Sequence, residues 1–201
     1  MCKTEQKGNS MSKKFYISDI HFGHKNILEF DKLPFADVDE MDRIMIDYWN
    51  MRVQKDDEVY IIGDFLYRSS KDPTWYLRQL SGKKFLVLGN HDTGIMDNPK
   101  ALAYFEDVDK IMNITDGENR LVLCHFPIVE WDSYYRRSYH IYGHIHSRLN
   151  EACLIMRNRK RALNAAACIN NYMPVTLNEL IENNKRFEEQ FPLKWSDLPP
   201  E

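Results

Sequence analysis

Short apolar runs alternate with amphipathic stretches along most of this chain, a pattern typical of an α/β layered domain. Five runs of β-prone residues predict strands, and they cover residues 15–18, 59–62, 85–88, 121–124 and 139–142. Two further runs, 154–156 and 162–167, flank the turn-like basic segment 157–160 and predict a β-hairpin.

Helical spacing of apolar residues predicts helices between these strands. Asp37 is placed to cap the longest helix, with a glutamate three residues on. Asp72 and Pro73 begin a second helix, and the capping box of Thr176 and Glu179 begins a last one that reaches about residue 189. The apolar stripe of the longest helix comprises Met41, Ile44, Met45, Tyr48 and Trp49.

The composition fits one ordinary globular domain. The chain has 201 residues, of which 43% are hydrophobic and 28% charged, so disordered and low-complexity classes are excluded. We expect residues 1–12 to form a flexible polar leader and residues 13–201 to form a single domain. A net charge of -3 disfavours a protein whose main partner is a nucleic acid polymer.

The cysteines and the apolar runs indicate the compartment. The four cysteines are scattered without a Cys-x-x-Cys pair, so neither a disulfide framework nor a thiolate zinc site is indicated. No apolar run approaches the roughly 20 residues of a membrane span, and the first residues lack the apolar core of a signal peptide. We therefore expect a cytoplasmic protein with no membrane partner.

Candidate metal ligands are concentrated directly after the apolar strands. Five of the seven histidines lie in four short strings, each of which follows such a strand. In open α/β sheets, ligands gather beyond the strand ends, so these side chains can converge. The strings are Asp19-Ile-His21, Gly89-Asn-His-Asp92, Cys124-His125 and Gly143-His-Ile-His146, and Asp64 follows a fifth strand.

The ligand types narrow the metal and the reaction. Carboxylates and imidazoles without thiolate suit Mn, Fe, Zn, Co or Ni better than Ca or Mg. Seven candidate ligands exceed what one tetrahedral ion needs, whereas two ions roughly 3.5–4 Å apart and bridged by a carboxylate would use all of them. Such a pair activates a water and clamps a phosphoryl oxygen, which points to dinuclear hydrolysis of a phosphate ester.

In this order, Asp-x-His, Gly-Asp, Gly-Asn-His-Asp, a lone His and Gly-His-x-His resemble the calcineurin-like metallophosphoesterases. The resemblance runs from residue 16 to residue 146. It implies a four-layer α-β-β-α sandwich of two mixed β-sheets flanked by helices, and two divalent ions, with Mn favoured and Fe, Zn, Ni or Co as alternatives. It also implies that Asp19, His21 and His146 hold one ion, that Asn90, His125 and His144 hold the other, and that Asp64 bridges them.

The same resemblance implies the catalytic roles. His91 would lie beside the scissile phosphate as the general acid or transition-state donor, with Asp92 as its orienting partner. The free amide group of Asn90 could donate to the phosphate. The nucleophile would be a metal-bridging hydroxide.

Some polar residues outside these roles allow more than one interpretation. His24 could reach the substrate from a loop or be a solvated loop imidazole. Arg137, beside Arg136 and several tyrosines, could bind a phosphate tail or a base, or belong to a solvated loop. We expect His140 to be structural. The basic residues Arg157, Arg159, Lys160 and Arg161 read as a solvated turn.

Three functions remain open at this point. The first is a phosphodiesterase acting on a small nucleotide-like substrate, because the cations nearest the motifs, Lys25 and Arg148, lie outside the metal-binding strings. The second is a phosphomonoesterase, a protein or nucleotide phosphatase, that uses the same dinuclear site. The third is a catalytically dead binding module, although no ligand of the motif is missing. Substrate, native metal and oligomeric state are left undecided.

Overall fold

Two four-stranded β-sheets lie face to face between helices in the computed structural model, which describes residues 12–198. The first sheet has the order β1 (Lys14–Ile17), β2 (Glu58–Ile62), β3 (Lys83–Val87) and β4 (Phe105–Asp109). Every neighbouring pair in this sheet is parallel. All four strands therefore end at the same edge.

The second sheet is mixed and has the order β5 (Ile111–Asp116), β6 (Asn119–Cys124), β7 (Tyr139–Tyr142) and β8 (Ala162–Asn164). β5 and β6 form an antiparallel pair, with Ile111 opposite Cys124. β6, β7 and β8 run parallel to one another, so their carboxyl ends also share one edge.

Helices and two short 3-10 turns connect the strands. The helices are α1 (Ile27–Phe30), α2 (Val38–Arg52), α3 (Pro73–Leu77), α4 (Thr93–Met96), α5 (Pro99–Leu102), α6 (Glu151–Arg157) and α7 (Leu177–Gln190), and the 3-10 turns are Tyr134–Arg136 and Trp195–Asp197. The expected caps are confirmed: Asp37 accepts from the Glu40 backbone N–H at 2.8 Å, and Thr176 and Glu179 form a capping box at α7.

Both faces of the first sheet are buried, which explains its continuous apolar strands. Phe15 and Val59 point towards α2, whose Met41 and Trp49 belong to the same core cluster. Their strand neighbours alternate to the other face, where Tyr16 packs with residues of the second sheet. The outer face of the second sheet packs against α6. The layers therefore follow the order helix, sheet, sheet, helix, and the expected α/β sandwich is confirmed.

Two expectations about the strands are wrong. Residues 154–156 lie in α6, where Asn150 caps the helix by accepting from the Cys153 backbone N–H at 2.9 Å, so there is no hairpin. β8 pairs in parallel with β7 instead. A short apolar run fits a buried helical turn as well as a strand, and the cap decides for the helix. The first sheet is also fully parallel rather than mixed.

The leader predicted for residues 1–12 lies outside the described residues except for Ser12. Within residues 12–198, no helix combines the length and apolar character required to cross a membrane. Cys124, Cys153 and Cys168 carry free thiols.

Candidate metal centre

The seven expected metal ligands lie together at the edge where strands of both sheets end. An unbroken series of side-chain distances below 4 Å connects all seven. Asp19 and His21 follow β1, Asp64 follows β2, Asn90 follows β3, His125 follows β6, and His144 and His146 follow β7. The sequence argument from strand ends therefore locates one site.

The backbone at this edge is strained. Five of the seven residues have φ in the left-handed region: Asp19 (53°), His21 (52°), Asp64 (54°), His144 (70°) and His146 (51°). Such a conformation costs a non-glycine residue on the order of 1–3 kcal/mol and is concentrated at functional sites. The surrounding contacts must therefore hold these turns in place.

Two glycines make the close approach of the turns possible. A Cβ atom on Gly89 would lie 2.3 Å from Asp64 Oδ1. A Cβ atom on Gly143 would lie 2.5 Å from both Asp19 Oδ2 and Ser18 Oγ. Any side chain at either position would displace a carboxylate of the site.

The first cluster consists of Asp19, His21 and His146. The Nε2 atoms of the two histidines lie 3.2 Å apart, and His146 Nε2 lies 3.4 Å from Asp19 Oδ1. The His144 backbone N–H donates to both oxygens of Asp19, at 3.0 and 3.1 Å, and so fixes the carboxylate. Three potential ligand atoms thus face one point.

The second cluster is built around Asn90. Its Oδ1 lies 3.1 Å from His125 Nε2 and 3.0 Å from His144 Nδ1. Asp64 Oδ2 lies 3.5 Å from His125 Nε2 and 3.7 Å from His21 Nε2, which belongs to the first cluster. One carboxylate oxygen therefore lies between the two clusters.

Burial sets the electrostatics of the site. It raises the pKa of Asp19, and burial together with neighbouring imidazoles lowers the pKa of His21 to about 2. Burial alone would lower the pKa of His146, but a hydrogen bond to Asp31 and the charge of Asp19 outweigh it and raise that pKa. The side chains of Asp19 and Asp64 are 1% and 2% exposed.

No lysine or arginine within residues 12–198 pairs with Asp19 or Asp64. A buried carboxylate needs a compensating charge, and among the described residues the ionisable partners of these two are imidazoles, which are joined by neutral donors such as the Ser18 hydroxyl and backbone N–H groups. The buried His21 Nδ1 also has no hydrogen-bond partner among the described residues. The donor set therefore fits divalent cations.

Asp31, which the sequence reasoning missed, supports one candidate ligand. It follows α1 and accepts a hydrogen bond from His146 Nδ1, which leaves Nε2 facing the first cluster. His125 Nδ1 is held in the same manner by the Ile62 carbonyl at 3.0 Å. Second partners of this kind fix the tautomer and the ring orientation of metal-binding histidines.

His91 lies at the mouth of the site, outside both clusters. Its side chain is 30% exposed, and its Nε2 lies 3.9 Å from Asp64 Oδ2. Its backbone N–H donates to Asp64 Oδ1 at 2.9 Å. The Tyr67 ring packs against the His91 ring with 4.0 Å between centroids, so an aromatic contact holds the imidazole.

The expected contact between Asp92 and the His91 side chain is wrong. The carboxylate of Asp92 accepts backbone N–H groups from Asp64, Phe65 and Gly89 at 2.8–2.9 Å. Burial outweighs these three donors and raises the pKa of Asp92. Because Asp92 is fully buried and committed to the backbone, it fixes the turns that carry the site rather than the imidazole beside it in sequence.

His24 is buried rather than solvated, and its ring lies against Tyr67, with centroids 4.8 Å apart. Burial, with His91 and Arg68 nearby, lowers the pKa of His24. The guanidinium group of Arg68 lies over the same Tyr67 ring, with its central carbon 5.0 Å from the ring centre. Arg68 lines a cleft of about 520 Å³ together with Asn90 and His91. The sequence reasoning missed this cation.

Arg137 lies away from the candidate centre. It precedes β7, whereas His144 and His146 follow that strand, so the two are at opposite ends of the sheet. Arg137 therefore lies outside the group of candidate ligands, and its contact with a phosphate tail or a base stays a prediction. His140 is buried, its Nδ1 donates to the Val122 carbonyl and its Nε2 accepts from the Ile128 backbone N–H, both at 3.0 Å. These contacts agree with the structural role expected for His140.

The sandwich and the two carboxylate-linked histidine clusters define a metallohydrolase. The family model described as calcineurin-like phosphoesterase matches residues 15–150, and the chain belongs to this family. The family is one of metal-dependent phosphoesterases, so the resemblance noted in the motifs is confirmed.

Relatives of similar length share most of this chain. An uncharacterized protein of Methanocaldococcus jannaschii is 30% identical over 184 residues, which cover 88% of this chain and 95% of that protein. The Gene 66 protein of Mycobacterium phage L5 is 36% identical over 136 residues, covering 59% of this chain and 65% of its own. A solved structure of a protein of unknown function from Aquifex aeolicus superposes with a TM-score of 0.67 at 26% identity, covering 85% and 98% of the two chains.

Proposed function

We propose that this protein is a metal-dependent phosphodiesterase that hydrolyses a small nucleotide-like substrate. The observation that supports it most is Asp64 Oδ2, which lies within 3.7 Å of His21 Nε2 and 3.5 Å of His125 Nε2. A carboxylate between two groups of candidate ligands suits a pair of cations.

The residues suggest how two ions would be held. Asp19, His21 and His146 would hold one, and Asn90, His125 and His144 the other, with Asp64 shared between them. Two divalent ions, when bound, would lower the pKa of a water and supply positive charge beside the phosphoryl oxygens. Manganese fits the mixture of carboxylate, amide and imidazole, and the buried carboxylates without cationic partners support a net positive occupant.

His91 would donate a proton to the departing alkoxide. Its imidazole is partly exposed at the mouth of the site and lies outside both clusters, as a proton donor to substrate requires. The Tyr67 ring limits its rotation. Asn90 would coordinate an ion with its carbonyl oxygen, which leaves its amide N–H groups to donate hydrogen bonds to a phosphoryl oxygen.

The cleft beside His91 supports a diester. Its volume of about 520 Å³ falls in the range of small-molecule sites, and both Asn90 and His91 line it. A diester must have room for a second substituent next to the scissile bond, and this cleft provides it.

One observation favours a phosphomonoesterase as the second candidate. Arg68 lines the same cleft, and its guanidinium forms no ion pair with a carboxylate of residues 12–198. A free guanidinium can bind a terminal phosphoryl oxygen through two hydrogen bonds, which suits a monoester dianion. The neighbouring Lys71 is already paired with Asp39 at 2.7 Å.

Hydrolysis of bis-nitrophenyl phosphate and nitrophenyl phosphate with Mn²⁺ separates the two candidates. We expect a higher kcat/KM for the diester, and we expect Arg68→Ala to reduce monoester hydrolysis more than diester hydrolysis. If the monoester is hydrolysed at least about tenfold more efficiently than the diester, the proposal of a phosphomonoesterase replaces that of a phosphodiesterase. If neither ester is hydrolysed with any of Mn, Ni, Co, Zn or Mg, the proposed activity is wrong.

His91→Ala tests the proton donor. It should keep the metal content while lowering kcat by roughly 10²–10⁴-fold, the range for a positioned acid. The loss should be smaller for a nitrophenolate leaving group than for an alkoxide, because nitrophenolate needs less protonation. Met96→Ala, an exposed change in the nearby α4, is the matched control. Loss of metal in His91→Ala, by elemental analysis, would make His91 a ligand instead.

A further inference from the structure

Four arginines from three separate segments line one cleft at the amino end of the second sheet. Arg120 lies in β6, Arg136 and Arg137 lie in the turn before β7, and Arg161 directly precedes β8. The strand register brings them together, since Leu121 pairs with Tyr139 and His140 with Ala162. The cleft has a volume of about 520 Å³, and its other lining residues are Glu118, Asn119 and Tyr139.

The arginines of this cleft, which we call the arginine cleft, are not neutralised by the protein. None of their guanidinium groups forms an ion pair or a hydrogen bond with another residue between 12 and 198. Glu118 is the single carboxylate that lines the cleft, so the lining carries a formal charge of about +3 at neutral pH. The chain as a whole has a net charge of -3, so the positive potential is local.

The arginine cleft is separate from the metal centre. The carboxyl end of β6 leads into His125, and Arg120 lies five residues earlier. At about 3.3 Å of rise per residue, the two ends are roughly 16 Å apart. A phosphate bound in the cleft is therefore not the phosphate that faces His91.

We propose that the arginine cleft binds the diphosphate group of a nucleotide. Guanidinium groups bind phosphate oxygens in pairs of parallel hydrogen bonds, and four of them can serve two adjacent phosphates. A diphosphate ester carries about three negative charges at neutral pH, which matches the charge of the lining, whereas a single phosphate does not. The volume suits a nucleotide, and Tyr139, which packs against the core between the sheets, lines the cleft with the part of its side chain that stays exposed.

The cleft contains no histidine and one carboxylate, so it is a binding site without hydrolytic groups. Binding would relieve the repulsion among the four guanidinium groups and would depend on ionic strength. This inference does not depend on the reaction proposed for the metal centre.

The test is calorimetric titration of the full-length, metal-loaded protein with α,β-methylene adenosine diphosphate, which cannot be hydrolysed between its phosphates. The double variant Arg137→Gln/Arg161→Gln removes two guanidinium groups, and Arg43→Gln/Arg78→Gln removes two exposed arginines elsewhere as a matched control. We expect the Kd to rise at least about tenfold in the first and to change less than about twofold in the second. Adenosine monophosphate should bind at least about tenfold more weakly than the diphosphate analogue.

Thermal unfolding of both double variants verifies that they are folded, and if Arg137→Gln/Arg161→Gln unfolds early, the exposed Arg136→Gln replaces it. Absence of binding would overturn the proposal, as would an unchanged Kd in the cleft variant, because the analogue would then occupy the metal centre. Equal binding of the monophosphate would overturn the diphosphate assignment. Binding of a short oligonucleotide in place of the analogue, lost in the cleft variant, would overturn it in favour of a nucleic acid contact.

Discussion

Replacing Asp31 should weaken one half of the metal centre and leave the other intact. Asp31 accepts a hydrogen bond from His146 Nδ1, and the two side chains are 5% and 6% exposed. With Nδ1 protonated by this contact, the lone pair of Nε2 faces His21 Nε2 at 3.2 Å and Asp19 Oδ1 at 3.4 Å. Asp31→Ala removes the group that fixes this tautomer.

The expected magnitude follows from the kind of contact that is lost. Removing a carboxylate that orients a metal-binding histidine typically costs 10–100-fold in metal affinity, which is about 1.4–2.7 kcal/mol. Asp31→Ala should fall in the upper part of this range, because it also leaves a buried N–H without an acceptor. Asp31→Asn keeps a neutral acceptor in the same place and should lose about tenfold or less.

Competition with a chromogenic chelator measures the affinity for Mn²⁺ or Zn²⁺, and elemental analysis gives the metal content per chain. The content of Asp31→Ala should fall from two ions towards one, because Asn90, His125 and His144 are untouched. Asp47→Ala, an exposed change on α2, is the control. An unchanged affinity in a folded Asp31→Ala variant would refute the argument, and an equal loss at both sites would show a general disturbance instead.

Two other changes test the supports of the site and the core. Asp92→Asn offers one acceptor oxygen in place of two, so at least one of the buried N–H groups of Asp64, Phe65 and Gly89 loses its partner. Urea denaturation should show a free energy of unfolding lower by about 1–3 kcal/mol. An unchanged denaturation midpoint would contradict this role of Asp92. Burial lowers the pKa of His140 to about 4 in the folded state, below the value near 6.5 in the unfolded chain. As the pH drops, the unfolded chain therefore binds a proton at His140 before the folded protein does. The free energy of unfolding falls between about pH 6.5 and 4 for this reason. His140→Gln should remove up to about 1.4 kcal/mol per pH unit of that slope, and an identical slope in wild type and variant would exclude His140 as its source.

The candidate metal centre could be located from the sequence because buried parallel strands, and the polar residues at which they end, form a recognisable pattern. Strands covered on both faces appear as continuous apolar runs, and a polar residue marks the point where each one ends. Parallel strands bring those ends to one edge within each sheet, and the two sheets pack with these edges together, so Asp19 after β1 and His146 after β7 meet although they are 127 positions apart in the chain. The α/β class and the convergence of the motifs could be predicted on this basis, whereas the four-layer sandwich followed from the family resemblance.

The strands that the sequence did not predict lack a continuous apolar run that ends at a polar residue. β4 is an edge strand with exposed acidic residues, and β5 carries polar residues between its apolar ones. Neither shows a continuous apolar run. The segment 154–156 is short and apolar, so its pattern fits a strand as well as a helical turn. The residue that favours the helix is its N-cap, Asn150, which lies outside the apolar run.

Residues that act across loops could not be predicted either. Asp31 and Arg68 belong to none of the motifs, and the candidate site residues that they approach are distant in sequence: Asp31 contacts His146, and Arg68 lines a cleft with Asn90 and His91. Proximity along the chain pointed to Lys25 and Arg148 as the nearest cations and to Asp92 as the partner of His91. In the structure, it is the path of the loop that decides which side chain reaches the centre.

The strained turns explain why so many buried contacts surround the candidate ligands. Five left-handed residues at about 1–3 kcal/mol each would relax if nothing opposed them. Asp92 holds three backbone N–H groups near Asp64, and Asp19 holds the His144 N–H, so each carboxylate of the site also stabilises a turn. Asp19 therefore has two tasks, since the carboxylate that would bind a cation also fixes the turn of His144, whereas Asp92 serves the backbone alone. This dual use limits substitution more strongly than metal binding alone would, because a change that spares the ligand set can still release a turn.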